Sequence, residues 1–128
     1  TNIWAQMLTY RFLTNVDFDE HLKKLQAIYR HKCHLMLGGL EKELPDFISF
    51  THPQGGLFIW ATLPDKYDMN AFCKGAVERK VAVVPGNAFC SDESAVSHSF
   101  RLNFSTPTDE QIEKGVKILG AAAKELLK

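Results

Sequence analysis

Long apolar runs, an excess of charge of either sign and an even set of cysteines are all missing from this sequence. No stretch approaches the roughly 20 apolar residues that cross a bilayer, and the N-terminus lacks the basic-then-apolar layout of a signal peptide. No membrane is therefore expected. The 15 basic residues balance 15 acidic ones, with no basic block or stripe, so nucleic acid is not an expected partner. Cysteine is scarce: Cys33, Cys73 and Cys90 are odd in number and widely spaced. That argues against a disulfide framework and for a reducing, cytoplasmic setting. Each is expected to be a small buried hydrophobe. Repeats and low-complexity segments are missing too.

What is present suits one domain with a real core: 128 residues, 45% hydrophobic and 11% aromatic. The most informative stretch is Phe100-Arg101-Leu102-Asn103. Read as a strand, it puts Phe100, Leu102 and Phe104 on one face, and Arg101, Asn103 and Ser105 on the other. A cation between large apolar neighbours is costly unless it meets an anion. The arginine fork fits a carboxylate or a phosphate. Arg101 thus reads either as an anion-binding residue or as half of an internal ion pair with Asp or Glu.

The remaining elements follow from periodicity and capping. Asn2 to Leu13 has Trp4, Met7, Leu8 and Phe12 at helical spacing. These residues have no obvious partner in a small domain and read as a seam to a further domain or a second chain. Asp17 and Glu20 form a capping-box pattern that opens a long helix ending near Glu43, before Leu44-Pro45. Its stripe is Phe18, Leu22, Leu25, Tyr29, Met36 and Leu40. Asp46 to Phe50 is a short strand, and residues 51–56 are a turn. Leu57 to Leu63 is expected to be a strand buried on both faces. Asp68 caps a helix to about Lys80, with Met69, Phe72, Cys73, Ala76 and Val77 inward. Val81 to Val84 is a brief strand, and Asn87 to Ser97 a loop tethered by Phe89. Thr108 and Gln111 box the last helix, whose stripe is Ile112, Val116, Leu119, Ala123 and Leu126. His31-Lys32-Cys33-His34 has a metal-like look, but Cys33 points away from both histidines and a fourth ligand is lacking. A solvated face is the reading there, and no metal is expected.

This order implies an α/β (α+β) fold, a two-layer sandwich of a small mixed sheet with helices on one face and a long N-terminal linking helix. The start at Thr1, already in a helical pattern, reads as a piece of a longer polypeptide.

Three stretches in register resemble a known family: His52-Pro53-Gln54-Gly55-Gly56-Leu57-Phe58-Ile59-Trp60, Val83-Val84-Pro85-Gly86-Asn87-Ala88-Phe89 and Arg101-Leu102-Asn103-Phe104-Ser105. Together they resemble the C-terminal small domain of class I/II aminotransferases, fold-type I enzymes dependent on pyridoxal phosphate. The resemblance implies that Arg101 grips the substrate α-carboxylate. It implies that Gly55 and Gly56 lie beside the substrate cleft, where a side chain would intrude, and that Asn87 and Asn103 are supporting residues. It divides the chain into residues 1–16, bridging to a large domain, and residues 17–128, the small domain.

The family's Schiff-base lysine, pyridine-nitrogen aspartate and phosphate cup belong to that large domain. None of their motifs occurs here. The resemblance therefore implies no catalytic and no cofactor-binding residue in this chain. Pyridoxal phosphate is expected in the full-length protein and not on this chain, which is expected to be inactive alone. The implied partners are the missing large domain, an amino acid or 2-oxo acid substrate, and a second copy in a homodimer. The alternatives are an effector-sensing aminotransferase-like domain of a transcription regulator, or a stand-alone carboxylate-binding module.

Overall fold

The computed structural model describes residues 1–92 and 95–128. The expected loop over 87–97 includes Glu93 and Ser94, which lie outside the described residues. The chain divides into two units, Thr1–His31 and Lys32–Lys128.

In the first unit, α1 (Ile3–Asn15) opens where the Asn2 side chain accepts the Ala5 N–H at 3.1 Å. It closes on Val16, whose N–H reaches the Phe12 carbonyl at 3.1 Å. The second helix, α2 (Phe18–Glu43), starts here. The Asp17 carboxylate accepts the Glu20 N–H at 2.9 Å, satisfying one of the otherwise unpaired donors of a first turn. Phe12 sets its edge against Phe18 and His21, with ring centroids 6.5 Å and 5.4 Å apart. The apolar residues of α1 are open: Trp4 is 72% exposed, and no residue of the helix is buried. Phe18 and Leu22, assigned to an inward stripe, are exposed as well. The buried stripe of α2 is Cys33, Met36, Leu37 and Leu40, all in its second half.

The second unit is built on a four-stranded sheet in the order β1-β2-β4-β3, with β1 Ser49–Phe50, β2 Phe58–Thr62, β3 Val84–Pro85 and β4 Ser99–Asn103. Every neighbouring pair is antiparallel, where a mixed sheet was expected. The reason is topological. β2 and β3 run the same way, and β4 returns between them, so no parallel pair ever adjoins. β3 is an edge strand, and that is why it tolerates Pro85.

The helices α3 (Met69–Glu78) and α4 (Asp109–Leu126) lie against one face. Ile59, Ala61, Phe100, Leu102 and Phe104 bury themselves there with Phe72, Ile112 and Leu119. The Asp68 carboxylate accepts the Ala71 N–H at 3.0 Å. Lys80, at φ 67°, ends α3 earlier than expected. The Val81 N–H bonds to the Ala76 carbonyl and the Lys80 N–H to Val77, so the left-handed residue satisfies the last carbonyls. This turn also delays β3, which begins at Val84 rather than Val81. The capping box of α4 is complete, with Gln111 N–H to Thr108 Oγ1 at 3.3 Å and Thr108 N–H to Gln111 Oε1 at 2.9 Å.

Burial departs from expectation at several places. β2 is buried on one face only: Ile59 and Ala61 are enclosed, while Phe58 is exposed and Trp60 and Thr62 are half-buried. Val77 and Leu126 face solvent, and Leu127 is buried in place of Leu126. Cys33 and Cys73 are buried, but Cys90 is exposed, because the 3-10 turn Gly86–Phe89 carries the chain to the surface there.

The cysteines give a first test. Burial pushes the Cys33 thiol up. Burial, and then the Asp68 carboxylate, push Cys73 from 9.0 to about 11. A water-soluble disulfide reagent at pH 8 should label Cys90 and leave Cys33 and Cys73 until the chain unfolds. The folded-state pKa of Cys73 is raised, so between pH 9 and 11 the unfolded chain releases a proton that the folded chain keeps. The stability this contributes is complete below about pH 9 and is lost by about pH 11. The urea midpoint of the wild type should therefore fall further over that interval than that of Cys73→Ala. Equal slopes, or early labelling of Cys73, would contradict the assignment.

Candidate functional site

The sheet face away from α3 and α4 carries the alternate residues of β2 and β4. In register, Trp60 lies opposite Arg101 and Phe58 opposite Asn103, while Val84 of β3 flanks Arg101 on the other side. Arg101 thus stands on the central strand of an open face, held by a ladder on both edges.

Its guanidinium carbon is 4.0 Å from the centroid of the Phe58 ring and 4.7 Å from that of Phe89. Phe89 in turn meets Trp60 edge-on, with centroids 5.5 Å apart. Arg101 Nε is buried without a hydrogen-bond partner. Among the described residues, no carboxylate forms an ion pair with Arg101. Among the described residues, then, the internal ion pair that the sequence left open is not found. A half-buried cation with no anion among the described residues, stacked on aromatic rings, can take an external carboxylate or phosphate through its terminal nitrogens.

The other residues singled out from the sequence surround it unevenly. Gly55 and Gly56 precede β2, so they share a segment with Phe58. An added Cβ at either would meet nothing within 4 Å, so the intrusion expected there does not arise from this chain's own atoms. Gly56 is instead set by its backbone, at φ 84°, a left-handed conformation that side chains disfavour. The tight position is Gly86, where a Cβ would collide with Ser97 Oγ and the Ser99 carbonyl. Asn87, next along the 3-10 turn, has a buried Oδ1 with no partner. Asn103 spends its Oδ1 on Ser105, accepting from the backbone N–H at 2.8 Å and from Oγ at 2.7 Å. It shapes the turn after β4.

Two contacts are not visible in the sequence: that of Phe58 with Arg101, and that of Lys32 with the turn after β4. The apolar run around Phe58 predicts a core residue, although its parity with Trp60 and Thr62 places it on the Arg101 face. Lys32 donates to the carbonyls of Ser105 (3.2 Å) and Pro107 across 73 and 75 residues of sequence. No local signal announces such a contact.

The chain's residues do not fit pyridoxal phosphate. An imine-forming lysine needs an amine that is both shielded and unpaired. Lys32 is half-buried but engaged by two carbonyls, and every other lysine is exposed. The first turns of α2 and α4 carry Asp19 with Glu20 and Asp109 with Glu110, which repel a phosphate from those helix ends. Among the described residues no cluster of metal-ligating side chains occurs, and no helix is long and apolar enough to cross a membrane.

A family model described as aminotransferase class I and II matches residues 4–119. The chain is 36% identical over 128 residues to aromatic-amino-acid aminotransferase 1 of Thermococcus litoralis, covering 100% of this chain and 30% of that protein. It superposes on a kynurenine aminotransferase of Pyrococcus horikoshii with a TM-score of 0.91 at 34% identity, covering 100% of this chain and 31% of that one. It is also 29% identical over 114 residues to the HTH-type transcriptional regulator NorG of Staphylococcus aureus, covering 88% of this chain and 25% of the regulator. The chain spans about 30% of the length of the first curated relative it matches.

Proposed function

Because this chain belongs to the class I and II aminotransferase family, we propose that it is the C-terminal small domain of a pyridoxal-phosphate-dependent aminotransferase, in which Arg101 binds the substrate α-carboxylate. The observation that carries this reading is the Arg101 guanidinium, fixed on an open sheet face with no anion of its own among the described residues. A bidentate grip on the carboxylate orients the amino group of an amino acid for transfer to a 2-oxo acid, and orientation is a large part of catalysis. Gly55 and Gly56 keep the approach beside Phe58 free of side chains. Asn87 and Asn103 support the segments on either side of Arg101.

In this reading residues 1–16 bridge to a large domain of the same polypeptide and residues 17–128 form the small domain. The large domain supplies the lysine, the aspartate and the phosphate site, in keeping with a chain whose own lysines are exposed or engaged. When bound, pyridoxal phosphate supplies the electrophile and electron sink for amino transfer. The exposed apolar residues of α1 suit burial against that domain or against a second copy in a homodimer. The setting is cytoplasmic.

The full-length polypeptide carrying this chain should be yellow with bound cofactor. It should pass the amino group of an aromatic amino acid or of 2-aminoadipate to a 2-oxo acid, and this chain alone should do neither. The regulator NorG favours a second reading, an effector-sensing domain. A full-length protein that binds DNA through an upstream helix-turn-helix head and transfers no amino group would decide for it.

A further inference from the structure

Two rings approach the Arg101 guanidinium from different segments. Phe58 comes from β2, two residues along from the position paired with Arg101. Phe89 comes from the 3-10 turn that follows β3. Both rings are partly open to solvent, Phe58 at 39% and Phe89 at 49%, so neither is there to fill the core. An arginine side chain on a surface is mobile, and ordering it on ligand binding costs rotamer entropy. A carboxylate partner would fix it, but would also compete with any incoming anion. Aromatic faces attract the cation without occupying its hydrogen-bonding edge. The buried, unpartnered Nε marks the edge that the surroundings close off, which leaves the terminal nitrogens for the ligand.

We propose that Phe58 and Phe89 are positioning residues for Arg101: an aromatic clamp that holds the guanidinium ready, and unneutralised, for an end-on carboxylate. The proposal rests on the reading of Arg101 as a carboxylate-binding residue. The rings act through the arginine, and their contribution disappears when the guanidinium does.

The test titrates the full-length holoprotein by calorimetry with 3-phenylpropionate, and with 3-phenylpropanol as the uncharged control. Leucine keeps much of the side-chain bulk and removes the π face. Phe58→Leu and Phe89→Leu should each weaken 3-phenylpropionate about threefold to fivefold. They should leave 3-phenylpropanol unchanged. Phe89→Trp should restore carboxylate binding. In an Arg101→Lys background, the leucine changes should add less than about twofold, because the planar cation they hold is gone.

Full leucine effects that persist beside Arg101→Lys, or that reach the alcohol equally, would mean that the rings touch the ligand directly, and would overturn the clamp. Unchanged affinity in both leucine variants, with Arg101→Lys still damaging, would overturn the clamp and leave the carboxylate reading standing. Unchanged affinity in Arg101→Lys itself would remove that reading and the clamp with it. Thermal midpoints of all variants, and the Trp variant as a second probe, separate these outcomes from misfolding.

Discussion

Arg101→Ala is expected to lower kcat/KM of the full-length enzyme for its amino acid by roughly 30- to 5,000-fold, the span of about 2–5 kcal/mol lost when one partner of a hydrogen-bonded charge pair is truncated. The same substitution should cost little stability. Arg101 is paired with no described carboxylate, so its removal strands no buried anion. What the fold loses is contact with the Phe58 and Phe89 rings, worth about 0.5–1 kcal/mol each at partly exposed sites. Arg101→Lys keeps the charge and loses the planar fork, so it should recover only a minor part of the activity. A structural arginine would behave in reverse, with a large fall in unfolding midpoint and a loss of activity only in proportion to the unfolded fraction. Steady-state kinetics alongside urea unfolding of both variants distinguish the two. Activity within about threefold of wild type in Arg101→Ala would end the carboxylate-binding role.

The strand that carries this prediction was legible because its information is local. Alternation alone separated Phe100, Leu102 and Phe104, now buried, from Arg101, Asn103 and Ser105. Capping was legible for the same reason: Asp17, Asp68 and Thr108 each accept the N–H three residues on. The failures share a different cause. The composition of β2, largely apolar, predicts burial on both faces, whereas α3 and α4 cover one face and leave Phe58 to the Arg101 side. The sheet was expected to be mixed because the order of β4 between β2 and β3 is set by long-range pairing. Cys90 was expected in the core because cysteine usually is, but the 3-10 turn after Pro85 delivers it outward. The surroundings of Arg101 belong to this second class. Residues 58, 89 and 101 come from three segments, and Lys32 reaches carbonyls more than 70 residues away. Periodicity could find the cation, and only the fold could say what it stacks on.

Phe100→Ala, one residue away, is expected to do the opposite of Arg101→Ala. Phe100 is fully buried and sits between Ala61 and Pro85 in the ladder. Its ring lies 5.4 Å from that of Phe72 on α3, at an interplanar angle of 50°. Truncation deletes this ring from the face where helices meet sheet, and it opens a cavity beside the buried Phe72 ring. Buried phenylalanine-to-alanine changes cost about 3–5 kcal/mol, a large share of the roughly 5–15 kcal/mol that holds a domain together. The urea midpoint should fall steeply at an unchanged slope, since the surface exposed on unfolding hardly alters. Phe100→Leu, which refills part of the space, should recover a substantial part of the loss. Where the variant remains folded, its affinity for a carboxylate ligand should stay within a few-fold of wild type, because the Arg101 side chain projects from the other face. A loss below about 1 kcal/mol would show that the ring is not the centre of this core. A collapse of carboxylate affinity in a fully folded Phe100→Ala would show that the two faces of β4 are not independent, and that the division of labour between Phe100 and Arg101 fails.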